Sequence, residues 1–203
     1  MNQSTVKALL FDMGGVVLDV DFNSVFSHLA VFSALPEADI KQQFTMDEHY
    51  RQHEKGLISG AEYFHYLRQQ LQLTASDADM EIGWNAIFGQ ELTAALDAID
   101  QVRGRYRCYG FTNTNAIHQA YWETHFPRIR RSFDHLFVSS EIGLRKPDAV
   151  AFAYILECAE LEAENILFFD DSLENIEGAR RLGLQCVLVD SPYAVSDALA
   201  LLP

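Results

Sequence analysis

Positive charge is scarce in this chain of 203 residues: 15 lysines and arginines stand against 29 aspartates and glutamates, a formal net charge of −14. So acidic a surface repels polyanions, which argues against nucleic acid and anionic membranes as partners. An anionic ligand would need positive charge concentrated at its own site. Long apolar runs are missing as well, and none approaches the length that spans a bilayer. Cysteine is rare. Cys108, Cys158 and Cys186 are odd in number and widely spaced, with no metal-ligand spacing or disulfide framework, which predicts reduced thiols and a cytoplasmic setting. The opening MNQSTVK has no signal-peptide pattern, and no internal repeat or low-complexity linker follows. Apolar mass is plentiful: 49% of residues are hydrophobic, ample for a packed core and too many for disorder. The length suits one large domain, or a domain with an insertion.

Short apolar runs ending at turn or polar signals occur at Val6–Phe11, Tyr106–Phe111, Leu136–Val138, Ile166–Phe169 and Cys186–Val189. Helical patterns lie between the later ones, at about Asn115–Phe126, Asp148–Leu161 and Leu173–Leu182, with Pro147 suited to a helix start and Gly183 to a stop. Alternating strands and helices predict an α/β fold with a parallel five-stranded sheet covered on both faces. Residues 23–89 break the alternation and read as helical almost throughout, with Tyr63, Phe64, Leu67 and Leu71 at helical spacing. The expected organisation is a Rossmann-like core, residues 1–22 and 90–203, with an all-helical cap, 23–89, inserted after the first strand.

Four places carry candidate chemistry, and each follows a strand, where parallel sheets hold their ligands. In ALLFDMGGVVLDVDF, Asp12 ends a buried run beside two glycines. GFTNTN places Thr112 and Asn113 after the second main strand, and GLRKPD places Lys146 at the mouth of a helix. ILFFDDSLENIEGA ends a strand on the adjacent pair Asp170 and Asp171. Alone, a Thr or Asp before a helix is often only a cap, and a Lys before Pro often only a solvated loop. Adjacent carboxylates are harder to dismiss, because they repel unless a cation or proton lies between them. Three carboxylates with backbone oxygens suit Mg²⁺. An Asp carboxylate can attack phosphorus and form an aspartyl phosphate. The Thr112 hydroxyl, the Asn113 backbone N–H, the glycine-rich backbone and the Lys146 ammonium are donors suited to phosphoryl oxygens.

The ordered set FDMGG, FTNTN, RKP and FFDDSLENIEGA resembles the haloacid dehalogenase superfamily of phosphohydrolases, and the likeness covers nearly the whole chain. With HYRQHEKGLIS and EIGLRKPDAVAF, it looks closest to the bacterial α-D-glucose-1-phosphate phosphatase branch. It looks more distantly like the N-terminal phosphatase domain of soluble epoxide hydrolases. The resemblance implies that Asp12 is nucleophile and metal ligand, that Gly14 gives its backbone carbonyl to Mg²⁺, and that Thr112, Asn113 and Lys146 bind phosphate. It implies Asp171 as the direct metal ligand of the acidic pair, with Asp170 at the metal's edge or behind it, and a cap that selects the leaving group. The expected function is Mg²⁺-dependent hydrolysis of a phosphomonoester through an aspartyl phosphate. The expected substrate is a small sugar phosphate such as glucose 1-phosphate, taken by a monomer or weak homodimer.

Gly14 departs from the resemblance, since most phosphatases of this superfamily carry there an Asp that protonates the leaving alcohol. Another group, such as Asp19 or Asp21, could substitute. The leaving group could need little protonation, as an anomeric oxygen does. Or the protein could be a weak catalyst that senses phosphate ligands. A metal-free 2-haloacid dehalogenase is a further alternative, against which the Asp170–Asp171 pair speaks. Among other residues, His49 and His53 read as cap-surface or cap-mouth groups, Arg145 as a substrate contact or a partner for an acid, Arg103, Arg105 and Arg107 as solvated or salt-bridged, and Trp84 and Trp122 as packing.

Overall fold

The computed structural model describes residues 5–203; Met1–Ser4, the head of the MNQSTVK stretch and of the expected 1–22 segment, lie outside the described residues. The core sheet is built from β1 (Ala8–Phe11), β4 (Arg107–Thr112), β5 (His135–Val138), β6 (Ile166–Asp170) and β7 (Gln185–Leu188), in the order β5–β4–β1–β6–β7 and all parallel. All four residues of β1 are buried, because a central parallel strand is covered on both faces. Leu9 and Phe11 enter one core cluster and Ala8 and Leu10 the other, as strand alternation requires. Phe11 pairs with Phe169 across β1 and β6, and their rings stack 4.6 Å apart.

One face is covered by α6 (Thr93–Val102), α7 (Ala116–His125), α8 (Pro127–Ser132) and α12 (Ala194–Ala200), and the other by α9 (Ser139–Ile142), α10 (Ala149–Ala159) and α11 (Leu173–Arg181). The chain leaves β1 to build β4 and β5 on one side, then crosses back to build β6 and β7 on the other. The crevice at this reversal, beyond the carboxyl ends of β1 and β6, is where such sheets bind ligands.

Five further helices form a layer of their own: α1 (Phe22–Ala30), α2 (Glu37–Gln43), α3 (Glu48–Glu54), α4 (Gly60–Leu71) and α5 (Asp77–Asn85). Side-chain caps at Asp21, Asp47, Ser59 and Ser76 start four of them, with capping boxes at Ser59–Glu62 and Ser76–Asp79. Trp84, Tyr63, Phe64, Met80 and Val25 lie in the layer's separate apolar cluster. The segment is not helical to its end. An antiparallel ribbon of β2 (Leu18–Val20) and β3 (Phe88–Glu91) joins layer to core, and β3 straddles the expected boundary at residue 89. A three- or four-residue ribbon containing Gly89 and Gln90 has no alternation to betray it; pairing in space creates it. His53 is also not a surface group. It is buried and stacked on Tyr63 at 4.4 Å, and burial lowers its pKa to about 4, whereas His49 is exposed and stacks on Tyr66 at 4.0 Å.

Trp84 is fully buried and makes ring contacts within 7 Å with Phe22, Phe44, Tyr50, Tyr63 and His118. Truncating Trp84→Ala should cost about 3–5 kcal/mol, read as a loss of unfolding free energy in urea.

Candidate active site

The structure brings Asp12, Lys146, Asp170 and Asp171 together and places Gly14, Thr112 and Asn113 on the cavity beside Asp12. Asp12 follows β1, with its N–H donating to the Phe169 carbonyl at 2.8 Å, so it sits on the β1–β6 crevice. Its Oδ1 accepts from the Met13 N–H at 2.6 Å and from the Lys146 Nζ at 2.7 Å. Among the described residues no hydrogen-bond donor reaches Oδ2, and 14% of the side chain is exposed, so one oxygen remains open to a reactant. Burial pushes the Asp12 carboxyl up to about 8 against the pull of Lys146.

Lys146 is wholly buried. Its ammonium donates to Asp12 Oδ1 and, at 2.8 Å, to Asp170 Oδ2, and it lies 5.3 and 5.7 Å from the Phe111 and Phe168 ring centres. Burial alone would drive off its proton, but the two carboxylates outweigh that and hold its pKa above the ordinary lysine value. An ammonium has three protons; among the described residues two are used, which leaves one for a ligand oxygen. Asn113 fixes the loop that delivers Lys146, its Nδ2 donating to the Lys146 carbonyl and its Oδ1 accepting the Lys146 N–H, both at 2.9 Å. Thr112, the buried last residue of β4, lines the cavity beside it.

The two members of the acidic pair differ. Asp170 is fully buried, and both its oxygens are engaged, Oδ1 by the Ser172 N–H at 2.8 Å and the Asn175 amide at 3.0 Å, Oδ2 by Lys146. Asp171 is exposed as a residue, but partial desolvation of its carboxyl, together with the Asp170 charge, raises its pKa. One oxygen from each of Asp12, Asp170 and Asp171 lies within 4.8 Å of the others. An all-oxygen donor set of this kind, without histidine or cysteine, fits a hard cation such as Mg²⁺. Gly15 makes the approach possible. Its φ is +70°, and a Cβ there would collide with the Asp171 carboxylate.

A cavity of about 170 Å³ opens in front of Asp12. Core residues Thr112, Asn113, His118, Trp122 and Asn175 form part of its wall, and Leu18, Val20, Phe22, Tyr50, Glu54 and Phe88, from the ribbon and helical layer, form much of the rest. Asp19 and Asp21, the expected substitutes for an acid at Gly14, do not face it. Asp19 lies over Gly89, on the strand face opposite Leu18 and Val20, and Asp21 caps α1 through the Asn23 N–H at 2.8 Å. At Gly14 a Cβ would meet nothing nearer than Val20 at 3.4 Å, so sterics do not impose the glycine.

A family model for haloacid dehalogenase-like hydrolases matches residues 6–183. The chain belongs to this family. A D-ribitol-5-phosphate phosphatase of Bacteroides thetaiotaomicron is 25% identical to this haloacid dehalogenase-like hydrolase over 190 residues, covering 89% of this chain and 90% of that protein. A drimenol cyclase of Aspergillus calidoustus is 26% identical over 193 residues, or 90% of this chain, which spans only 34% of the cyclase's length. Among solved structures, a haloacid dehalogenase-family enzyme of B. thetaiotaomicron in complex with magnesium and inorganic phosphate aligns with a TM-score of 0.80 at 28% identity, over 90% of this chain and 93% of that one.

Three residues of the hydrolase's site had no assigned role in the sequence. Asn175 holds Asp170, Ser139 bridges the Thr114 N–H and the Glu54 carbonyl at 2.8 and 2.7 Å, and Glu54 pairs with Arg145 at 2.8 Å. Asn175 and Glu54 lie in the quoted stretches ENIEGA and HEKG, but spacing does not separate them from ordinary helix polar residues. Arg145 is thus the partner of an acid, one of the two roles expected for it. Among the other arginines, Arg103 pairs with Asp134 at 3.6 Å, and Arg105 and Arg107 donate to the Pro203 and Ala159 carbonyls.

Replacing Gly15→Ala forces a side chain into left-handed backbone, at about 1–2 kcal/mol, and displaces Asp171. Calorimetric titration should show the affinity for Mg²⁺ falling about tenfold or more, in a protein that still unfolds cooperatively.

Proposed function

We propose that this hydrolase is a Mg²⁺-dependent phosphomonoesterase that works through an aspartyl phosphate on Asp12. The observation that carries the reading is the buried Lys146 ammonium shared by Asp12 and Asp170, with Asp171 beside them at the mouth of the β1–β6 crevice. Asp12, Asp171 and the Gly14 carbonyl would hold the ion, with Asp170 behind them anchoring Lys146. When bound, magnesium offsets the negative charge that substrate and carboxylates bring together. The free Oδ2 of Asp12 attacks phosphorus in line with the departing oxygen. The third proton of Lys146, the Thr112 hydroxyl and the Asn113 backbone N–H receive the phosphoryl oxygens as their charge grows. Water then releases phosphate and regenerates Asp12.

The substrate is a small sugar or polyol phosphate, of which glucose 1-phosphate is one candidate. The cavity of about 170 Å³ carries Tyr50, Glu54, Asn113 and Asn175 among its apolar walls, which suits a small hydroxylated leaving group. Residues 23–89 act as the cap: Val20, Phe22, Tyr50, Glu54 and Phe88, from it and its ribbon, face the leaving group. A screen of sugar, polyol and aryl phosphates with Mg²⁺ tests the reading, and absence of turnover on every ester would sink it.

Asp12→Asn keeps the shape but loses the nucleophile, and should leave less than a few per cent of wild-type turnover in a protein still folded by circular dichroism, though less stable because Lys146 loses a charged partner. The acidic pair should separate. Asp171→Asn should raise the Mg²⁺ concentration needed for half-maximal activity with little change in unfolding free energy. Asp170→Asn should destabilise the fold by about 3–5 kcal/mol, because it strips one partner from a buried ammonium.

A further inference from the structure

Cleaving an alkyl phosphate needs a proton delivered to the leaving oxygen and one removed from the attacking water, and the site as described has no carrier for either. Gly14 brings no side chain to the cavity, Asp19 and Asp21 face elsewhere, and Asp12 is the attacking group. Asp170 is fully engaged beneath the site. His118 lines the cavity, but its Nδ1 is occupied by Asn115 at 3.1 Å and its Nε2 by the Trp84 carbonyl at 3.0 Å, and burial lowers its pKa to about 3. The ionisable groups left on the wall are Tyr50, whose pKa burial drives well above the ordinary tyrosine value, and Glu54.

Glu54 ends α3, so it enters the cavity from the helical layer while Asp12 enters from the sheet. It is 5% exposed, although an unpaired carboxylate belongs in solvent. Its backbone is tied to the core, its carbonyl accepting from the Ser139 hydroxyl at 2.7 Å. Its Oε2 accepts from the Arg145 Nε at 2.8 Å. That hydrogen bond aims the carboxyl, which also meets the Tyr50 hydroxyl on the cavity wall. We propose that Glu54 is the proton carrier of the reaction, in the role that Gly14 leaves vacant; this rests on the phosphomonoesterase reading above.

The two half-reactions then balance. In the first, a bond forms between Asp12 and phosphorus, the bond from phosphorus to the leaving oxygen breaks, and the carboxyl proton of Glu54 passes to that oxygen. In the second, the water oxygen bonds to phosphorus, the Asp12–phosphorus bond breaks, and a water proton returns to Glu54. One ester and one water become one alcohol and one phosphate. The surroundings suit both states of the carboxyl. Burial raises its pKa and outweighs the opposing pull of Arg145, the adjacent Tyr50 hydroxyl and Lys146; Tyr63 of α4 is a further ionisable neighbour. Arg145 steadies the carboxylate between the two steps.

The test uses the whole protein with Mg²⁺ and a graded set of substituted phenyl phosphates, alike in size but different in leaving-group acidity, in single turnover. Glu54→Gln keeps an acceptor for Arg145 but cannot transfer a proton. The expected result is a small loss on 4-nitrophenyl phosphate and a loss of about 10²-fold or more on 4-methylphenyl phosphate. With 4-nitrophenyl phosphate in excess, the variant should also give a burst approaching one nitrophenolate per enzyme, as phosphorylated Asp12 waits for a base. The ratio between two substrates on one preparation does not depend on the fraction folded. An equal loss on every ester would make Glu54 a structural tie between layers, and no loss would make it idle; either overturns the proposal while the phosphatase reading stands. Failure of the wild type on all the esters would overturn both.

Discussion

Lys146 carries its ammonium, with no exposure to solvent, between Asp12 at 2.7 Å and Asp170 at 2.8 Å. Without Lys146, two carboxylates on neighbouring strand ends would repel across the crevice; without either carboxylate, a buried ammonium would lose much of its compensation. Breaking such a pair is costly even where forming it brings little net stability. The rest of the site is arranged around this constraint. Asn113 clamps the Lys146 backbone, Asn175 and the Ser172 N–H hold Asp170, and Phe111 and Phe168 bring ring faces near the ammonium. The ammonium offsets part of the negative charge that Asp12, Asp170 and Asp171 gather at this edge, in a chain whose formal net charge is −14.

A second tie links the sheet to the helical layer. Glu54 meets Arg145 through its side chain and Ser139 through its carbonyl, and Ser139 in turn accepts the Thr114 N–H just after β4. The residue next to the buried lysine therefore reaches the helical layer, and the loop following Thr112 joins the same network. Contiguous hydrogen bonds thus join the helical layer to the residues that line the cavity beside Asp12.

Much of the site was legible because strand ends announce themselves. ALLF into Asp12, YGF into Thr112 and ILFF into Asp170 are apolar runs broken by a polar residue, and the parallel fold gathers such breaks at one edge. The five core strands follow from the same runs, within one or two residues at their ends. The ribbon of β2 and β3 did not show, because its few residues gain strand character only from each other. His53 read as a cap-surface or cap-mouth group because a histidine on a short helix carries no mark of the aromatic layer that buries it.

The sequence by itself determined the alternation of strands and helices, the helical segment after the first strand, and the order in which Asp12, Thr112, Lys146 and the acidic pair occur. These are local properties of apolar periodicity and turn chemistry, present whatever the rest of the chain does. The tertiary structure decided which oxygen of Asp12 stays open, which member of Asp170–Asp171 is buried, and which acid reaches the cavity. Asp19, Asp21 and Glu54 are equally plain carboxylates in the sequence. The pleat of β2 turns the first away, the start of α1 takes up the second, and Arg145, 91 residues further along the chain, holds the third beside the cavity. Such long-range contacts form only when the layers pack, so no local pattern encodes them.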